Sequence, residues 1–301
     1  MSPDIRVGVS GWSYGHWRKG AFYPDDLPRS RELDYLSRHL NSAEINRSFY
    51  SLLTPSAYEK QREAVPPGFL FAVKGSRFIT HSKKLKDIAT PLANFFASGV
   101  LRLEETLGPI VWQLPEMSWD LERVRAFLEL LPKDTEAASR LARRHDDRVT
   151  GRASMAVHSN RRLRHALEVR HEGFLVDQTV RICRRHNVAL VFADSGDWPY
   201  TEELTSGFVY LRLHGSPETY ASNYSKQALE SWADKIKAWA GGGEPPDPRR
   251  ITDRPPPRRK TRDVYLYFDN DGEAHAPANA GTLTSILGLE TPGAWDEDDG
   301  S

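Results

Sequence analysis

Eight short apolar runs recur along this chain, and nearly every one ends in a charged, amide or hydroxyl side chain that an ordinary strand does not carry. The runs cover residues 5–10, 42–46, 69–74, 110–114, 166–170, 188–193, 208–213 and 264–268, each rich in Val, Ile, Leu or aromatic residues. Such runs suit parallel strands buried on both faces. Their ends read Ser10, Glu44 with Asn46, Lys74, Gln113, Glu168 with Arg170 and His171, Asp194, Arg212 with His214, and Asp269 with Asn270 and Asp271. In one closed parallel barrel these side chains converge on the rim where such barrels keep their active sites.

Helical patterns separate the runs. Leu33, Leu36 and Leu40 follow the capping residue Ser30, Thr54-Pro55 opens another helix, Asp120 and Ser225 precede two more, and Gly241-Gly242-Gly243 stops the last of these. The alternation predicts an α/β fold, a single (β/α)8 TIM-type barrel over residues 1–289, with an acidic, disordered tail at 290–301. A barrel of this kind takes about 250 residues, and the 301 present leave room for insertions at about 132–164 and 241–262. A doubly wound dinucleotide fold would need a glycine-rich turn after the first strand, where Trp12 and Trp17 stand instead.

Composition narrows the class. No apolar stretch approaches the roughly 20 residues of a membrane span, and no signal-like apolar region precedes the first run, so a cytoplasmic protein with no membrane partner is expected. Cys183 is the one cysteine, on the apolar stripe of a helical pattern, and reads as a core thiol. The formal net charge is zero, yet residues 140–164 hold eight arginines and residues 249–262 seven Lys/Arg. Both segments run from a helix to a strand, which puts them at the bottom of a barrel, away from the rim, and the second, rich in proline, reads as a mobile excursion.

Residues two apart in a strand face the same way. Glu44 therefore shares a side with Asn46, Glu168 with Arg170, and Tyr210 with Arg212 and His214, while Leu70, Ala72 and Lys74 line up in the third run. Buried charges need partners, and Glu44, Glu168 and Asp194 are expected to balance Lys74, Arg170 and Arg212. Aromatic residues in the loops, among them Trp12, Trp119 and Trp198, would wall a small-ligand pocket. No His-x-His or His-Glu-x-x-His spacing supports a catalytic metal, and cations crowd the same rim, so no cofactor is expected.

The same positions resemble the YecE-like family, known as domain of unknown function 72. The matching stretches are Gly11-Trp12-Ser13-Tyr14 with Trp17 and Phe22-Tyr23-Pro24; Glu44-Ile45-Asn46-Arg47-Ser48-Phe49-Tyr50; Phe71-Ala72-Val73-Lys74 with Arg77 and Thr80-His81; Gln113-Leu114-Pro115; Leu167-Glu168-Val169-Arg170-His171; Asp194; Tyr210-Leu211-Arg212-Leu213-His214-Gly215; and Tyr267-Phe268-Asp269-Asn270-Asp271 with Asn279-Ala280. Each is weak alone, but the ordered set is specific. The resemblance implies a TIM-type barrel with its polar cluster at the strand C-termini, and supplies no activity. Three positions depart from the family pattern: Arg47, Glu116, and Gly173-Phe174. Arg47 adds a cation near the second rim loop, which bears on ligand charge.

These readings nominate Glu168 as principal acid/base, Glu44 as its partner, and His81 or His214 as proton carriers near neutral pH. Trp12, Asn46, Lys74, Gln113, Arg170, His171, Asp194, Arg212, Asn270 and Asp271 are nominated to bind ligand. The leading expectation is an enzyme, a hydrolase or isomerase, acting on a small polar, anionic or sugar-like ligand by acid–base catalysis. The alternatives are a nucleic-acid-associated protein using the basic insertions, a non-catalytic ligand-binding barrel, and a metal-dependent isomerase or hydrolase. Salt-dependent binding marks the first alternative, a ligand released unchanged the second, and metal content the third. Oligomeric state is not encoded in any motif here.

Overall fold

The eight apolar runs become nine strands, because one run divides without leaving the sheet. The structure, a computed structural model, describes residues 2–291, so the expected tail lies outside the described residues except for Glu290 and Thr291. The strands are β1 (Ile5–Ser10), β2 (Ser42–Ile45), β3 (Leu70–Lys74), β4 (Leu107–Gln113), β5 (His165–Glu168), β6 (Ala189–Leu190), β7 (Phe192–Asp194), β8 (Phe208–Leu213) and β9 (Asp263–Phe268). All pair in parallel, in the order β6-β5-β4-β3-β2-β1-β9-β8-β7. The two ends of that order, β6 and β7, are separated by Val191 alone. Its N–H still donates to the Leu167 carbonyl at 2.9 Å, and from Phe192 onward the chain pairs with β8 instead. The sheet is therefore a nearly closed, barrel-shaped ring of nine strands rather than eight.

Helices α1 (Glu32–His39), α2 (Arg47–Tyr50), α3 (Pro55–Glu63), α4 (Ala89–Ala97), α5 (Leu121–Leu130), α6 (Thr135–Ala142), α7 (Asp177–His186), α8 (Lys226–Ala240) and α9 (His275–Leu287) occupy the connections. Thr54, Asp120 and Ser225 cap α3, α5 and α8 by accepting from Ala57, Arg123 and Ala228 N–H groups. Ser30 does not cap α1; it lies inside a 3-10 turn, Arg29–Arg31, that leads into that helix. No helix joins β7 to β8. An extended segment takes its place, with Glu202 and Glu203 buried and met by Lys235, Arg184 and Tyr200.

Two apolar clusters show which way each strand faces. The larger joins the outer faces of the strands to the helices and contains Cys183, whose thiol burial pushes up to about 12. The smaller holds Ala72, Val111, Ala166, Ala189, Val191, Ala193, Phe208, Tyr210, Tyr265 and Tyr267 and fills the ring. Continuing the alternation one step toward the strand ends brings Lys74, Gln113, Glu168, Arg212 and Asp269 inward.

The basic segments are tied down, and only partly at the far face. The proline-rich excursion is pinned rather than free: Ile251 and Thr252 N–H donate to Glu203, and buried Arg262 donates to the carbonyls of Gly242, Gly243 and Pro257. The first segment departs from the bottom-face expectation. Asn94 of α4 bonds both the backbone and carboxylate of Asp146, so the chain climbs along α4. Arg148 then stacks on Phe78, in the loop after β3, and Arg152 reaches the Leu52 carbonyl.

Candidate active site

Arg212 is the centre of the rim. It is completely buried, and its two terminal nitrogens meet Glu44, Glu168 and Asp269, each at 2.9 Å, with Ser10 Oγ at 2.7 Å. Burial would lower its pKa, but the three carboxylates hold it well above the ordinary arginine value. Each carboxylate is oriented by other groups. Glu44 accepts from Ser10 at 2.6 Å and from Tyr210 at 2.7 Å. Glu168 lies 2.6 Å from Arg170, and His214 sits between Glu168 at 3.4 Å and Asp269 at 3.0 Å.

This arrangement decides protonation. Burial alone would raise the Glu168 carboxyl, but Arg170, Arg212 and His214 more than reverse it and hold the group well below the carboxylate range. Asp269 is lowered in the same way, with burial opposed by Arg212, His214 and Lys74. Both are ionised at neutral pH, fixed anions that accept hydrogen bonds and give up their charge only in acid.

Lys74 is the contrasting member. It is 8% exposed, its Nζ lies 4.5 Å over the Phe49 ring, and among the described residues it forms no ion pair. Burial, then Arg212, lower its ammonium to about 8, with Glu44, Asp269 and Glu168 only partly opposing them. An amine in that range exchanges its proton near neutral pH.

The canopy is aromatic. Trp198 stacks on the Arg170 guanidinium with 3.1 Å from Cζ to the ring centroid, and presents an edge to His214 at 4.9 Å. Tyr220 packs against both Trp198 and His214. Gly11 makes the turn after β1 with φ of 86°, and a Cβ there would meet the Tyr14 hydroxyl at 2.8 Å. That clearance lets Tyr14 donate back to the Ser10 carbonyl at 2.6 Å.

The nominated residues divide into those that meet in this cluster and those that frame it. Glu44, Lys74, Glu168, Arg170, Arg212 and His214 meet, and Gln113 is buried at the end of the strand beside Glu168. Asn46 joins through Ser10, to which its Nδ2 donates at 3.0 Å. Asp194 does not join. Ala193 takes the inward position, and Asp194 instead accepts from Tyr224 at 2.6 Å. Asp269 is thus the third carboxylate, where the sequence suggested Asp194.

His81 lies on a π-helical turn, Phe78–Ser82, against Thr80 Oγ1 at 2.8 Å and the Phe49 ring. Burial and the nearby Lys74, Arg77 and Arg170 lower it to about 4, so it is a neutral acceptor rather than a proton carrier near pH 7. His171 accepts from the Gly173 N–H, and Trp12 packs on Phe71. Asn270 holds the Ser222 carbonyl and Asn279. The Asp271 carbonyl faces His16 and Trp17, while its carboxyl is raised by burial and by Asp269. Ser10, Tyr210 and Asp269 were not nominated, although the alternation through Tyr265 and Tyr267 points to Asp269. Among the described residues, no three His, Cys, Asp or Glu side chains are grouped to hold a metal ion.

Comparison with known proteins agrees with the motif reading. A family model described as "Protein of unknown function DUF72" matches residues 6–299. A crystal structure of a DUF72 family protein from Thermotoga maritima superposes with a TM-score of 0.70 at 22% identity, covering 95% of this chain and 99% of that one. A DUF72 family protein from Enterococcus faecalis gives a TM-score of 0.67 at 14% identity, over 95% of this chain and 96% of that one. At these identities the likeness is one of fold. No curated protein matches the chain. Among the described residues, no helix is long and apolar enough to cross a membrane.

Proposed function

The chain belongs to the DUF72 family, proteins of unknown function, and we propose that it is an enzyme acting on a small polar, anionic or sugar-like ligand by acid–base catalysis. The reading treats residues 1–289 as one (β/α)8 TIM-type domain whose split strand counts once, with chemistry at the strand C-terminal rim. The observation that carries it is the pairing of opposite proton tendencies in one buried cluster. Glu168 is held ionised among cations, while Lys74 keeps a proton that it releases at about 8.

In this scheme Lys74 is the acid and Glu168 the base, its basicity restored when ligand charge draws Arg170 away from it. Glu44, fixed by Ser10, Tyr210 and Arg212, holds negative charge opposite the ligand. Arg212 is a positioning residue, since carboxylates of the protein already meet both of its terminal nitrogens. Arg170, stacked under Trp198, and Lys74 would meet ligand charge. Reaction classes that move a proton on and off a ligand, isomerisation or hydrolysis, fit this pair.

The test is turnover of metabolite pools by the purified chain, followed by Lys74→Met and Glu168→Gln. Loss of a general acid or base lowers rates about 100- to 10,000-fold. Lys74→Met is the cleaner variant, because it removes a buried charge without orphaning a partner. Its melting temperature should hold or rise while turnover falls. The wild-type rate should decline above about pH 8 as Lys74 loses its proton. Full activity in both variants rejects the scheme.

A further inference from the structure

A cleft of about 440 Å³ opens beside the buried cluster, between the loop after β1, the start of α2 and the flank of α3. That volume lies within the roughly 300–1,000 Å³ of small-molecule sites. Three cations line it, Arg29, Arg47 and Lys60, and no Asp or Glu does. Among the described residues none of the three forms an ion pair. They come from three separate elements, the turn before α1, the start of α2 and the body of α3, so their meeting is a product of the fold.

The rest of the lining is not that of a bare cationic patch. Asn46 forms the wall shared with the buried cluster; its Nδ2 is committed to Ser10 Oγ, and its Oδ1 is buried with no partner. That oxygen is closed to water, so a ligand hydroxyl reaches it only when the Asn46 side chain turns toward the cleft, and would then satisfy it. Trp12, on the same lining, offers a flat apolar surface of the kind that packs on a sugar ring. Three cations, an unpaired acceptor and an aromatic residue on one lining describe a ligand with an oxyanion, a hydroxyl and a compact ring.

We propose that this cleft binds the phosphate and ring of a phosphorylated sugar. Arg29, Arg47 and Lys60 take the phosphate and Asn46 accepts from a hydroxyl. The assignment rests on the acid–base reading for the ligand's direction, since Asn46 leads through Ser10 to Glu44 and Arg212. Arg47, at the start of α2, adds a cation to this lining, and so a preference for an anionic ligand.

Titration calorimetry of the whole chain in low salt, with ribose 5-phosphate, ribose and inorganic phosphate as probes, tests the site without any need for turnover. Ribose 5-phosphate should bind, and ribose should bind at least about tenfold more weakly, the loss expected for one charge-assisted hydrogen bond. The exposed pair Arg47→Glu with Lys60→Glu should weaken ribose 5-phosphate by a similar factor, with Arg29→Glu as a second readout if the pair does not fold. Asn46→Ala should weaken ribose 5-phosphate and leave inorganic phosphate unchanged. Because calorimetry reads binding alone, binding by a chain that shows no turnover separates the site from the chemistry. Equal affinity in the charge-reversed and wild-type chains, equal binding of ribose and ribose 5-phosphate, or no binding of ribose 5-phosphate in the millimolar range overturns the proposal.

Discussion

Removing a guanidinium from water is costly unless its charge is met, and Arg212, fully buried, meets three carboxylates. Replacing it with Met would strand them, at a cost of about 3–5 kcal/mol near pH 7. The deficit has a definite pH dependence. In the wild type, Glu168 and Asp269 sit below their ordinary values, so their contribution is complete above about pH 5 and is lost as pH falls through their folded values. In Arg212→Met the stranded carboxylates take up protons more readily, so urea denaturation should show a smaller deficit at pH 5 than at pH 7. Lys74 has the reverse sign. Its folded value of about 8 lies below the ordinary 10.5, so the unfolded chain holds more protons in that window and stability rises with pH there. Any stability advantage of Lys74→Met should shrink across it. Period-two alternation alone brought Glu44, Lys74, Glu168 and Arg212 to one side. It missed the exchange of Asp194 for Asp269, because the phase of a strand that changes partner at Val191 is not written in its apolar run.

Strand positions were the most legible elements and connections the least. A buried parallel strand is a short apolar run whatever surrounds it, so β1 and β8 follow the sequence to the residue. The link from β7 to β8 has no helix because Glu202 and Glu203 are held by groups distant in sequence, and no local pattern announces such partners. The excursion at 241–262 misled for a related reason. Its prolines and arginines read as solvated chain, yet Arg262 is 1% exposed and holds three backbone carbonyls. Arg262→Ala would leave those carbonyls without their donor, costing about 1–3 kcal/mol. Limited proteolysis should then cut within 241–262 at a protease concentration that leaves the wild type whole. Equal protection would mean the Glu203 contacts suffice.

At the scale of the molecule, the ring of strands and the charged rim cluster are one construction. The sheet order begins and ends on strands joined by a single residue, so no long edge is left to template pairing with another chain. Alternating elements made such a ring legible, whereas the cleft beside it was not, since Arg29, Arg47 and Lys60 share no motif. Arg212 finds Glu168 44 residues away, Asp269 57 away and Glu44 168 away. No local segment can make these contacts together, so the cluster has a place in the order of assembly. Chain segments must collapse and pair before the charges are driven together, and the guanidinium is seated late. Arg212→Met should therefore accelerate unfolding while leaving refolding close to the wild-type rate in stopped-flow measurements. A chain that folds this way completes its rim cluster last, and an incompletely folded molecule has no partial version of it.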